Sequence, residues 1–387
     1  MTEVPAPIGM GYRVPLLIVS PWTRGEVVLS EVLDHTSVIQ FLELRFNVSC
    51  PNISPWRRAM TGNLLSAFDF DHPQYDWPQG LPDTSGYVEE GDVECHTLPP
   101  PVVPEVQSMP QQEPGTRISR ALPYEFLVAD SLTVGSTTND VTIAVTVDNT
   151  GAAGAPLVLY DVLNLASTNP RQYAVEAGKA VTDTVTIPAT TDVTATAAVP
   201  YHYALMGPNG FVRIFQGSAP LTVGDLCSSV SASLHYDIPS SAVVVRFTNT
   251  LQDGGEEATF ELVDNAYNQL AGEVRTVVVT AGASVDLPIP TAASGNWYDL
   301  TVTLQLPAGS TEQCYLRRFM GRMETGVDGP SDPAMGAALP GLWGTHSEDA
   351  HPRLPARLRD IARVQGKHAE VNKDALFYTI ITPTGTV

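Results

Sequence analysis

The chain has 387 residues, of which 43% are apolar and 16% charged, with a formal net charge of −21 at pH 7. That length accommodates two or three domains, and the acidity speaks against nucleic acid or anionic membrane as a partner held by charge. No apolar run reaches the roughly 18 residues needed to span a bilayer, and Met1-Thr2-Glu3-Val4-Pro5 shows neither the basic nor the apolar stretch of a signal peptide.

The first element in chain order is the uninterrupted apolar run Val14 to Val19. Such a run predicts a strand covered on both faces, as in a parallel sheet flanked by helices. It leads into a tight loop at Ser20-Pro21-Trp22. Val38, Phe41, Leu42, Arg45 and Phe46 then recur at helical spacing and predict a helix with one apolar stripe, capped by Asp34 or Ser37. The cluster Phe68-Asp69-Phe70-Asp71-His72-Pro73 closes this part. One strand does not make a sheet, so residues 1–72 read as the C-terminal remnant of an α/β domain. Its apolar strand and helix face lack a covering layer.

Residues 73–118 change character. Leu98-Pro99-Pro100-Pro101-Val102-Val103-Pro104 and Met109-Pro110 predict an extended, proline-rich linker. Within it Glu89-Glu90-Gly91-Asp92-Val93-Glu94 lacks the full calcium-loop pattern and reads as a solvated acidic loop.

An internal repeat follows, with copies at 119–222 and 228–328. Val141 to Thr150, Val185-Thr186-Ile187-Pro188, Tyr201 to Leu205 and Arg213 to Gly217 in the first copy answer to Val243 to Thr250, Val285-Asp286-Leu287-Pro288, Trp297 to Val302 and Arg318 to Gly321 in the second. Short β-branched strands between Gly, Asn and Asp turns predict antiparallel sandwiches. The remainder, 329–387, holds one predicted helix, Pro355 to Val371, and an edge strand near Phe377 to Pro383. The fold class is therefore mainly β: an α/β remnant followed by two tandem antiparallel β-sandwich domains.

The four cysteines, Cys50, Cys95, Cys227 and Cys314, have no zinc-type spacing among themselves or with histidine. Spacing does not choose among the pairings. Cys227 and Cys314 flank the second copy and are the favoured disulfide in an oxidising compartment, with free buried thiols as the alternative.

Several ordered motifs carry a family resemblance. Arg13-Val14-Pro15 with Ser20-Pro21-Trp22-Thr23-Arg24-Gly25, then Asp34-His35-Thr36-Ser37-Val38, Asn52-Ile53-Ser54-Pro55-Trp56-Arg57-Arg58 and Ser66-Ala67-Phe68-Asp69-Phe70 resemble bacterial phosphocholine-specific phospholipase C. The duplicated module resembles the paired C-terminal modules of the same family. The resemblance implies an alkaline-phosphatase-like catalytic domain of the phosphoesterase family. It implies hydrolysis of phosphatidylcholine or sphingomyelin to release phosphocholine, a choline phospholipid or membrane surface as partner, and a secreted or cell-envelope location. It places the nucleophile and main metal-binding region upstream of the matched residues. The expectation is thus a truncated chain, inactive alone, with no cofactor or metal of its own and a divalent metal only in the full-length enzyme.

Asp34 and His35, adjacent at a helix start, are the catalytic candidates; the alternative is that Asp34 caps the helix and His35 supports the loop. Arg13 and Arg24 are candidates for phosphate, since guanidinium matches phosphate oxygens bidentately. Arg57-Arg58 answers either to phosphate or to carboxylates that buttress a surface. Trp22 and Trp56 are candidates to line a choline pocket by cation–π contact, or else to pack. The alternative to an enzyme part is a non-catalytic tandem β-sandwich protein that binds lipid headgroup, glycan or protein.

Overall fold

The computed structural model describes residues 9–334 apart from 12–13, 24, 26, 77–78, 101, 104–114, 135–140, 188–198, 220–225, 253 and 306–312. Arg13, Arg24 and the elements expected at Pro355–Val371 and Phe377–Pro383 lie outside the described residues. Two compact units divide the chain: Met1–Gly11, Gly25–Ala67 and Glu113–Ala350 form one, and Tyr12–Arg24, Phe68–Gln112 and His351–Val387 the other.

The first unit starts with two helices, α1 (His35–Phe46) and α2 (Pro55–Met60). Asp34 is the N-cap of α1 and Ser37 its third residue, and each side chain accepts from the other's backbone N–H in a capping box. Asn47 ends α1 in the left-handed region (φ 53°) and returns its N–H to Glu43. Ser54 caps α2, with Pro55 in the first turn where a missing N–H costs nothing. Ahead of α1, Val28 N–H donates to Ile118 O (2.8 Å) and Val32 N–H to the Tyr124 hydroxyl (3.0 Å), so this segment lies against the β-structure that follows.

That structure begins with β1 (Ile118–Ser119). The first copy of the repeat supplies β2 (Phe126–Val134), β3 (Val141–Asn149), β4 (Ala155–Asp161), β5 (Arg171–Val175), β6 (Lys179–Ile187), β7 (Val199–Met206) and β8 (Val212–Ala219). The second supplies β9 (Val230–Asp237), β10 (Ala242–Asn249), β11 (Ala258–Asp264), β12 (Arg275–Val279), β13 (Ser284–Pro290), β14 (Trp297–Leu304) and β15 (Tyr315–Arg322). A last short strand, β16 (Gly329–Pro330), pairs with β1. In β3 the apolar residues Val141, Ile143, Val145 and Val147 are buried while the residues between them are half-exposed, the period of two that one-sided burial demands. Asn149 and Asn249, each at the end of its strand, donate through Nδ2 to one loop carbonyl and one strand-end carbonyl: Ala153 and Val175, and Glu256 and Val279. The same buried residue thus satisfies the same corner in both copies.

The copies share both sheets. One has the order β13-β10-β9-β2-β3-β6 and the other β12-β11-β14-β15-β8-β7-β4-β5. The joins are antiparallel: β2 meets β9 at Val128↔Leu234, and β8 runs beside β15 from Val212↔Met320 to Gly217↔Tyr315. Arg213 opposes Phe319 and Arg317 opposes Phe215, which is the relation a local two-fold axis imposes, with Ile214↔Arg318 at its centre. This register equates Arg213 with Arg317, correcting the sequence alignment to Arg318. The tandem arginines made the sequence ambiguous by one position, and strand register removes the ambiguity because a one-residue slip reverses the faces. Each copy has its own apolar core, centred on Ile143, Leu157 and Leu205 in the first and Val245, Phe260 and Leu300 in the second.

In the second unit the expectation of a buried strand at Val14–Val19 is overturned. Residues 14–19 have no regular structure, and Leu17 is 86% and Val19 83% exposed. A strand exists only with a hydrogen-bonded neighbour, and among the described residues none pairs with this run. The turn after it is closed by Thr23 N–H to Ser20 O (3.2 Å). The linker is also not extended throughout: Tyr87–Thr97 forms α3, so the acidic cluster Glu89–Glu94 lies on a helix instead of a loop. Glu89 and Glu90 sit in its first turn, where carboxylates suit the helix dipole, and Leu98-Pro99 ends it. α3 buries no residue, so no apolar periodicity was there to be read.

Candidate functional site

The sequence candidates of the first unit converge at the corner between α1 and α2. One Asp34 oxygen accepts from the Thr36 backbone N–H (2.7 Å) and hydroxyl (2.6 Å), and the other pairs with Arg57. Burial alone would raise this carboxyl, but the Thr36 hydrogen bonds and Arg57 outweigh it and hold it below its usual range. Glu43, one helical turn before the end of α1, takes Arg58 bidentately at 2.8 and 2.8 Å, and Arg58 also donates to Cys50 O (2.8 Å). Hydrogen bonds from Arg58, with one from the Cys50 N–H, draw the Glu43 carboxyl down to about 2. Arg57 and Arg58 are therefore clamps between helices. Asp34 is engaged at both oxygens, and His35 is exposed on the first turn.

Trp56 lies partly exposed with the Arg57 guanidinium 5.9 Å from its ring centre. In the second unit Trp22 joins an aromatic group, 6.1 Å from Phe70 and 6.4 Å from Tyr75, with Phe68 stacked on Phe70 at 5.3 Å. The Trp22 carbonyl accepts from the Asp69 N–H (2.8 Å), tying the turn to this group. Among the described residues no three His, Cys, Asp or Glu converge to hold a metal ion. The described side chains do not fit the divalent metal that the resemblance implies for a full-length enzyme.

Beneath α2 an open cleft of about 370 Å³ is lined by Glu31, Arg58, Thr61, Tyr124, Gly154 and Glu176. Gly154 makes this approach possible, because a Cβ there would stand 2.4 Å from Ala59 O and 2.6 Å from the Met60 side chain. The cleft mixes charges of both signs and holds no paired acid and base.

A buried ion pair sits where the two copies join. Arg317, 1% exposed, donates to Asp130 through Nε (2.9 Å) and Nη2 (2.6 Å). Its counterpart Arg213, equally buried, meets no carboxylate among the described residues. Arg213 donates instead to Met320 O (2.8 Å), Val212 O (2.9 Å) and the hydroxyls of Tyr298 (2.9 Å) and Tyr236 (3.4 Å), with the Phe211 ring 4.1 Å away. Burial pushes the Tyr236 phenol well above its ordinary value, so it is neutral. Cys227, in the short helix α4 (Leu226–Ser229), is disulfide-bonded to Cys314 ahead of β15, with 5.9 Å between Cα atoms. Cys50 and Cys95 are free. Sequence reasoning passed over Arg213, Arg317 and Asp130; the signal available was an arginine at an inward position of an apolar strand in both copies.

The fold and site define a mainly β protein built on a duplicated antiparallel module joined about a local two-fold, preceded by a clamped helical corner. A family model described as "Bacterial phospholipase C, C-terminal domain" matches residues 118–218 and 230–322, the two copies, and one described as "Phosphoesterase family" matches residues 2–49. The non-hemolytic phospholipase C of Pseudomonas aeruginosa is 40% identical over 331 residues, covering 85% of this chain and 44% of that protein. The non-hemolytic phospholipase C of Burkholderia pseudomallei is 39% identical, covering 87% and 45%, and the hemolytic phospholipase C of P. aeruginosa 31%, covering 86% and 46%. The chain belongs to the bacterial phospholipase C family. It spans somewhat under half the length of these relatives.

Proposed function

We propose that this chain is the C-terminal part of a phospholipase C that cleaves the phosphodiester of phosphatidylcholine or sphingomyelin to release phosphocholine. In this reading residues 1–72 are the end of an alkaline-phosphatase-like domain, and the two copies are sandwich modules that orient the enzyme on a lipid surface or shape access to its cleft. The observation that carries it is the alignment with a phospholipase C over 85% of the chain. The geometry of Asp34, committed to a helix cap and to Arg57, supports the further reading that these residues alone are inactive. The Cys227–Cys314 disulfide supports an oxidising, secreted or cell-envelope location. Among the described residues no helix is long and apolar enough to cross a membrane.

A chimera tests the reading. This chain replaces the aligned segment of the P. aeruginosa non-hemolytic relative, and phosphocholine release from phosphatidylcholine and sphingomyelin vesicles is measured beside the chain alone. Release by the chimera and none by the chain alone is expected. A folded but inert chimera would overturn the assignment, and release by the chain alone would overturn its inactivity.

A further inference from the structure

Helix α1 is turned inside out. Its buried residues are Ser37 and Gln40, the latter donating to the Thr61 hydroxyl at 3.0 Å. Most of its apolar residues face outward: Val38 is 46%, Leu42 46% and Phe46 63% exposed, with Ile39 beside them, while Phe41 is half-buried. Positions 38, 42 and 46 follow one another at four-residue steps and form a single ridge, joined by 39 beside its first step. An amphipathic helix at a protein surface places its apolar stripe on the core and its polar face in water. Here the polar face is fastened by the capping box, by Gln40 and by the Arg57 and Arg58 clamps, so the outward stripe is held in place and is not an effect of a loosely seated helix.

Two observations say what covers it. The helix lies within the 48 residues that match the phosphoesterase family, a different family model from the one that matches the repeat. A segment of that size is below the length at which a globular core usually stabilises itself, so the matched piece is a fraction of a domain. The relatives, in turn, have more than half their length outside the region aligned with this chain. We propose that the ridge Val38–Ile39–Leu42–Phe46 is the docking surface for the rest of a phosphoesterase-family domain, and that α1 is thereby the joint between that domain and the duplicated β modules. The inference rests on the proposed phospholipase lineage, but its test does not depend on catalysis.

The test compares one substitution in two proteins. Leu42→Glu in this chain alters a side chain that is 46% exposed, and its thermal midpoint is expected to stay close to the parent's. The matching substitution in the full-length P. aeruginosa non-hemolytic relative is expected to lower the thermal midpoint and raise protease sensitivity at least tenfold. Hydroxyl-radical footprinting is expected to show the α1 ridge labelled in this chain and at least fivefold protected in the intact relative. Equal labelling in both proteins would overturn the proposal. So would concentration-dependent dimerisation of this chain in light scattering that Leu42→Glu abolishes, since the ridge would then seat a second copy. A protected ridge in a relative whose chimera is inert would leave the docking intact and remove the assigned activity. An active chimera with an unprotected ridge would do the reverse.

Discussion

Arg317 and Asp130 form a bidentate ion pair, 2.9 and 2.6 Å, with side chains 1% and 4% exposed, between the last strand of the second copy and the first strand of the first. It is a charge pair shared by two modules, and the two-fold that relates them does not repeat it. The position equivalent to Asp130 in the second copy is Leu234, so Arg213 is left to hydroxyls, carbonyls and aromatic faces. Guanidinium tolerates this because it stays ionised, spreads its charge over a plane and stacks on rings.

Breaking the pair from one side leaves a buried cation without a counter-charge. Asp130→Asn is expected to cost about 3–5 kcal/mol of unfolding free energy. The double variant Asp130→Leu with Arg317→Met is expected to recover most of that loss, since neither charge remains buried. Urea denaturation of both variants checks it; a double variant no more stable than Asp130→Asn would contradict the account.

Leu234→Asp supplies Arg213 with the carboxylate that its counterpart has. Its cost is expected to stay below about 1 kcal/mol, whereas Val245→Asp, on a neighbouring strand with no cation to meet, is expected to lose about 3 kcal/mol or more. Thermal melts of the two variants decide between pairing and mere tolerance. Equal losses would mean that the two-fold does not extend to side-chain geometry.

The disulfide closes most of the second copy into a loop. Cys314→Ser is expected to cost about 2–5 kcal/mol, chiefly by freeing the unfolded chain. Thiol titration of the native, unreduced protein is expected to find Cys50 and Cys95 and not the other two. Four reactive thiols in the native protein would remove the bond.

His202 on β7 is held neutral: burial draws its pKa from 6.5 down to about 4. The folded state therefore binds this proton less readily than the unfolded state, so the site favours folding least at low pH. Its contribution is fully present above the unfolded value of 6.5, declines below it, and stops falling once pH passes below about 4. His202→Gln is expected to flatten the stability profile between those values, measured by urea midpoints at successive pH. An unchanged slope would place the acid sensitivity elsewhere.

Much of the architecture is legible in the order of residues alone. The alternation of Val141, Ile143, Val145 and Val147 requires a one-sided strand, and its echo at Val243 to Thr250 requires a duplication. Asp34 followed by Ser37 announces the capped start of α1. These features depend on residues close in sequence, where backbone geometry alone sets the period. The apolar content of Val14–Val19 misleads because content reports the wish to be covered and not the presence of a cover. Helix α3 escapes because a fully exposed acidic helix has no apolar stripe.

Local spacing and side-chain hydrogen bonding to neighbouring backbone were enough to specify the repeat, its alternating strands and the cap of α1. Only the tertiary structure decided that the copies share both sheets, that Arg213 answers to Arg317, that Asp130 serves one arginine and not the other, and that α1 turns its apolar ridge to solvent. Those outcomes hang on contacts between residues far apart in the chain. There a one-residue change of register moves a charged side chain from one face of a sheet to the other, and local preference has no means to choose.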